Sequence, residues 1–114
     1  ARMAETLNSA GRHDEALQLA QESLQKREEV LGPEHPETLG GRHLLGWVYQ
    51  SMGNLEAAVT TLEATWEQRK RVLGPSHHDT VDVAGNLAAA YELAGDPEAA
   101  AAVRAEVATA TETP

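Results

Sequence analysis

The densest set of side chains able to do chemistry is His77-His78-Asp79, two imidazoles followed by a carboxylate. These are metal-ligating residue types, and histidine beside a carboxylate also suits acid–base work. Their placement argues for neither. Adjacent residues at the start of a helix do not face one way, and His35 stands forty-two positions earlier in the place of His77. A loop histidine that returns at a fixed interval reads as a turn residue. The runs Glu28-Glu29 and Arg69-Lys70-Arg71 read as solvated helix faces. No nucleophile elbow, phosphate-binding glycine loop or H-E-x-x-H stretch occurs, so nothing supports catalysis. There is no Cys, which excludes a disulfide framework and a thiolate metal site. The expectation is a non-enzyme with no catalytic residue, no bound metal and no cofactor.

The elements that position these residues are set by a repeat. Leu31-Gly32-Pro33-Glu34-His35-Pro36-Glu37-Thr38 returns as Leu73-Gly74-Pro75-Ser76-His77-His78-Asp79-Thr80. Leu45 returns as Leu87, Tyr49 as Tyr91, Gly53 as Gly95, and Glu56-Ala57-Ala58 as Glu98-Ala99-Ala100. A period between 20 and 50 residues marks a stacked array in which each unit buries its apolar face against the next. Between the turns the apolar residues recur at i, i+3, i+4 and i+7, as in Leu55, Ala58, Val59, Leu62 and Trp66, which is one face of a helix. Gly11, Gly53 and Gly95 each follow such a run, where a left-handed residue closes the last turn. Asp96-Pro97 and His35-Pro36 open helices, with proline in the first helical position. The reading is all-α: helices near 1–10, 13–31, 36–52, 55–73, 78–94 and 97–110, with no strand. Connections of two or three residues within a pair make the paired helices antiparallel neighbours.

Composition narrows the function classes. The formal charge of −9 argues against a nucleic-acid partner, whose affinity rests on Lys and Arg. Residues 73–114 hold Asp79, Asp82, Glu92, Asp96, Glu98, Glu106 and Glu112 against Arg104 alone. No apolar run approaches the roughly 18 residues of a membrane span, so no membrane partner is expected, and the lack of Cys suits a cytoplasmic setting. Ala1 falls inside a helical pattern, which suggests a fragment of a longer chain. The expected layout is one domain, 1–114: a partial repeat over 1–30, a second over 31–72, and a third with a capping helix over 73–114. The last helix is nearly all Ala with charges and reads as a polar-faced cap ending near Ala110, with Thr111 to Pro114 frayed.

Leu45-Gly46-Trp47-Val48-Tyr49 fits the L-G-x-x-Y core of the tetratricopeptide repeat, with Gly53, Ala58 and Leu62 at its turn, crossing and large apolar positions. The longer period and the L-G-P-x-H-x-x-T loop resemble the kinesin light chain type of that repeat, which also occurs in bacterial regulatory proteins. The Ala-, Gly- and Arg-rich composition without Ile resembles that of a high-GC bacterium. The resemblance implies a right-handed superhelical stack of three antiparallel pairs, an α-solenoid. Its first helices would line a concave groove that binds a peptide or protein segment. It also implies a groove asparagine at Asn86, whose equivalent in the preceding repeat is Leu44. Arg42 and Ala84 depart from the usual tryptophan position, and Arg104 from the large apolar one.

If Leu45, Val48, Tyr49 and Met52 face the second helix of their pair, the groove is lined by His43, Leu44, Trp47 and Gln50, then by Asp82, Asn86, Ala89 and Glu92. Trp47 beside Leu44 is an anchor of the kind enriched at interfaces; its alternative is ordinary core against the preceding pair. Asn86 offers a donor and an acceptor; its alternative is a local contact. With Glu5, Asp82 and Glu92 acidic, the expected partner is a basic or basic-apolar peptide. The alternatives are a self-associating piece that forms a homodimer through an uncovered end, and an accessory domain of a larger enzyme or transcriptional regulator.

Overall fold

The computed structural model describes residues 13–112. They form five helices and no strand: α1 (His13–Leu31), α2 (Pro36–Ser51), α3 (Leu55–Leu73), α4 (His78–Leu93) and α5 (Pro97–Glu112). The expected helix over 1–10 lies outside the described residues. Each helix packs on the one before it in sequence, and α2 also touches α4.

Local chemistry sets each boundary. His35 Nδ1 accepts from the Glu37 amide at 3.1 Å, and His77 Nδ1 from the Asp79 amide at 3.0 Å. The recurring histidine is therefore an N-cap, a role usually taken by Ser, Thr, Asp or Asn. Asn54 and Asp96 cap α3 and α5 in the same way, on Ala57 and Ala99. Gly74 closes α3 at φ +99°, a conformation costly for any residue with a Cβ. α5 runs on to Glu112, past the expected stop near Ala110. No breaker intervenes, and the Thr111 hydroxyl donates to the Val107 carbonyl at 2.9 Å, so Thr111 and Glu112 are helical rather than frayed. Thr113 and Pro114 lie outside the described residues.

The core divides in two. Ala16, Ala20 and Leu24 of α1 pack with Leu45 and Val48 of α2. Ala58, Leu62 and Trp66 of α3 pack with Val83, Leu87 and Ala88 of α4 and with Ala100 and Val103 of α5. This corrects the expected facing of α2: Leu45 and Val48 point back to α1, so Leu45 and Leu62 are not in one cluster. Tyr49 touches both. Gly46 of α2 lies against Leu62 of α3. A Cβ there would lie 2.6 Å from Leu62 Cδ2 and 2.7 Å from its Cγ. The glycine of the L-G-x-x-Y core thus lets a fully buried leucine reach the α2 backbone.

Gly46→Ala should destabilise the protein by about 1–3 kcal/mol, the usual range for overpacking, because buried Leu62 has no space to retreat into. Urea unfolding followed by circular dichroism measures it; an unchanged midpoint would overturn the assigned crossing.

Candidate functional site: the α2–α4 face and the joint beneath it

The run Arg69-Lys70-Arg71 is not the solvated face its sequence suggests. Arg69 is only 5% exposed. Its Nη1 donates to the Asp79 carbonyl at 2.9 Å and lies 2.9 Å from His43 Nδ1. Its Nε has no partner. Arg27, one repeat earlier, donates in the same way to the Glu37 carbonyl at 3.1 Å. An arginine near the end of each second helix therefore holds the first turn of the next repeat. Lys70 lies 3.7 Å from the Trp66 ring centroid and pairs with Glu67 and Glu106, at 3.1 and 2.8 Å. Burial lowers its pKa, but the two carboxylates outweigh this and the net shift is upward. Arg71 is exposed and reaches Glu34. Glu28, read as solvated, pairs with half-buried Arg42, which also donates to Gln68. The signal for this joint in the sequence is the period: Arg27 and Arg69 recur, whereas most charges do not.

A second recurring tie belongs to the tyrosines. Gln21 donates to Tyr49 Oη at 3.3 Å, and Tyr91 Oη donates to Glu63 at 2.6 Å. The hydrogen bond to Glu63, then burial, pushes the Tyr91 phenol up to about 12.

Above the arginine joint sits the face read as a groove. Asn86 of α4 sits close enough to His43 of α2 to act on its ring. Burial, then Arg69, holds the His43 pKa below its ordinary value; Asn86, Asp82 and Asp79 oppose them. Leu44 and Trp47 are half-buried and pack against the α1–α2 cluster, so Trp47 is partly core and partly open. Gln50 is half-buried, and its Oε1 lacks a partner. Ala89 is half-buried. Glu92 is exposed but engaged by both Nη atoms of Arg104, at 2.8 and 2.9 Å, which lowers its pKa. Asp82 is exposed, with an oxygen 3.3 Å from His78 Nε2. The structure thus brings His43, Asp82 and Asn86 together, neutralises Glu92 from α5, and leaves Glu5 outside the described residues.

His78, Asp79 and Asp82 each bring one potential metal-ligand atom within 4.8 Å of the others. Adjacency along the chain does not reveal this set, because Asp82, one turn after His78, completes it while His77 serves as the cap. The three are solvent-facing or half-open. His78 and Asp82 already face each other. Among the described residues no helix is long and apolar enough to cross a membrane.

The sequence profile of the family described as "Tetratricopeptide repeat" matches residues 1–65 and again 43–107. No curated protein matches the chain. Among solved structures, nearly identical TPR-like repeats of a putative kinesin light chain from Podosopora anserina superpose with a TM-score of 0.88 at 25% identity. A single-substitution form of that same protein gives 0.88 at 24%. Each match covers 98% of this chain and 53% of the other, so the chain spans about half the length of those structures.

Two outcomes follow from the joint. Arg69→Leu should cost about 1–3 kcal/mol by leaving the half-buried Asp79 carbonyl without its donor, while Arg71→Leu should stay within about 0.5 kcal/mol, as exposed substitutions usually do. Equal effects in thermal unfolding would contradict the distinction. Glu63→Gln should lower the ionisation of Tyr91 from about 12. The sign follows from removing the carboxylate that stabilises the protonated phenol. Ultraviolet difference titration that leaves this value unmoved would sink the assignment.

Proposed function

Because the chain belongs to the tetratricopeptide-repeat family, with two overlapping matches that span most of it, we propose that it is a protein-interaction module whose α2–α4 face receives a segment of a partner protein. Tetratricopeptide repeats in general mediate protein–protein interaction. The observation that carries the reading for this chain is the His43–Asn86 contact. On this reading Leu44 and Trp47 of α2 share one receiving face with Asn86 and Ala89 of α4. Trp47 supplies a partly open aromatic surface, the residue type most enriched among interface hot spots. Asn86 supplies donor and acceptor capacity beside it.

The favoured partner segment is apolar with a basic residue opposite Asp82. Glu92 contributes less to this preference than its sequence position suggests, because Arg104 already neutralises it. On this reading the module has no chemistry of its own and works in the cytoplasm as part of a larger regulatory or signalling protein.

A peptide-array screen with the wild type, Trp47→Ala and Asn86→Ala tests the surface. Loss of an anchor worth about 2 kcal/mol weakens binding roughly thirtyfold. Binding should also weaken with added salt, since exposed charges are screened over about 8–10 Å near physiological ionic strength. A partner bound undiminished by both folded variants would move the site to another face.

A further inference from the structure

We infer that His43 is a proton-sensitive latch beneath the α2–α4 face: protonating it releases Arg69, and so loosens the joint between successive repeats. This deepens the proposed interaction reading by giving that face a regulator.

The physical basis is hydrogen-bond capacity. An arginine guanidinium has only donors. Arg69 Nη1 lies 2.9 Å from His43 Nδ1 and also donates to the Asp79 carbonyl at 2.9 Å. Nδ1 must therefore present a lone pair, which puts the proton of the neutral ring on Nε2. Asn86 of α4 lies beside the same ring and favours its charged form. The imidazole thus ties its own α2 to α3 through Arg69, whose same nitrogen holds the Asp79 carbonyl of α4.

An imidazolium has no lone pair. A proton on Nδ1 would face an N–H donor across 2.9 Å and set two cations side by side in a largely buried place. The charged groups around the ring tell which way this goes. From α3 comes Arg69, from α4 come Asp79 and Asp82, and Asp82 is shared with His78. On the α1 side, Arg27 is bound to the Glu37 carbonyl and Glu28 to Arg42. Burial and Arg69 dominate, so the neutral ring is favoured in the intact joint. Below the ordinary value of 6.5 the unfolded or opened chain takes up the proton first, so stability of the joint is full above that pH and falls as pH drops through it.

Position explains why the latch occurs here and not in the next repeat. The residue equivalent to His43 is Gly85, and the one equivalent to Arg69 is Thr111. The latch is therefore single, and lies beneath Asn86. Three other histidines, His35, His77 and His78, serve as helix caps or lie in solvent.

The test is a pH titration of the isotopically labelled protein by NMR from pH 8 to pH 5, reading the His43 ring nitrogens and the Arg69 Nε–H signal. The expected result is a His43 midpoint below 6.5, with the Arg69 Nε–H signal shifting at the same midpoint. In His43→Gln, whose side-chain carbonyl can accept from Arg69 without titrating, the Arg69 signal should stay fixed across the range. Should that variant fold poorly, the coincidence of midpoints in the wild type still decides. An Arg69 signal that ignores the His43 titration, or a His43 midpoint at or above 6.5, overturns the latch. Neither readout needs a partner, so failure of the interaction reading leaves this result standing, and the reverse also holds.

Discussion

Arg69 is the contact on which the α2–α4 face depends. A guanidinium so nearly buried is costly unless its donors are used; here Nη1 serves a helix-opening carbonyl and an imidazole of two different helices, while Nε goes without a partner. Arg69 joins the end of one repeat to the beginning of the next, across the turn at Gly74. His77 then caps α4 from within the loop. The Asp79 amide and carbonyl are thus both held, one by the loop and one by the preceding helix. Arg27, His35 and Glu37 repeat the arrangement one unit earlier.

The two repeats differ in how well this scheme is finished. Thr38 Oγ1 donates to the Arg27 carbonyl at 3.3 Å, whereas Thr80 Oγ1, buried in the equivalent place, has no partner. Gly46 admits Leu62, but their equivalents are Ala88 and Arg104, and Arg104 is exposed and bound to Glu92. Without a large apolar residue there, Val81, Ala84, Gly85, Val103, Val107 and Ala108 line an open apolar notch between α4 and α5. The outer side of α5 presents Ala101, Ala105 and Ala108 with Glu106 between them, so it is less polar than a cap composed of charges. Charge still unites the end of the stack with its middle, through Lys70 and Glu106.

Much of the fold was legible before any coordinates. The period, the glycines and the apolar spacing located the described helices to within about two residues, because turn chemistry and helical periodicity are local. The recurring histidine reads as a turn residue for the same reason. The facing of α2 was not legible. Leu45, Val48, Tyr49 and Met52 form one stripe in sequence, but α2 lies between α1 and α3, and a stripe does not say which neighbour it meets. Gly46 shows where α3 enters: its missing Cβ admits Leu62.

The sequence by itself determined the elements, their order and the residues that could form a recognition face, since each rests on spacing within one helix or one turn. Only the tertiary structure decided what those residues are free to do. Arg69 stands in a charged run that looks solvated, and is buried because α4 closes over it. Glu92 looks like a free groove acid, and is neutralised by an arginine one helix later. His43 and Asn86 are far apart in the chain and become neighbours because successive first helices stack side by side. Burial and pairing are properties of the space between helices, and no pattern along a single helix carries them.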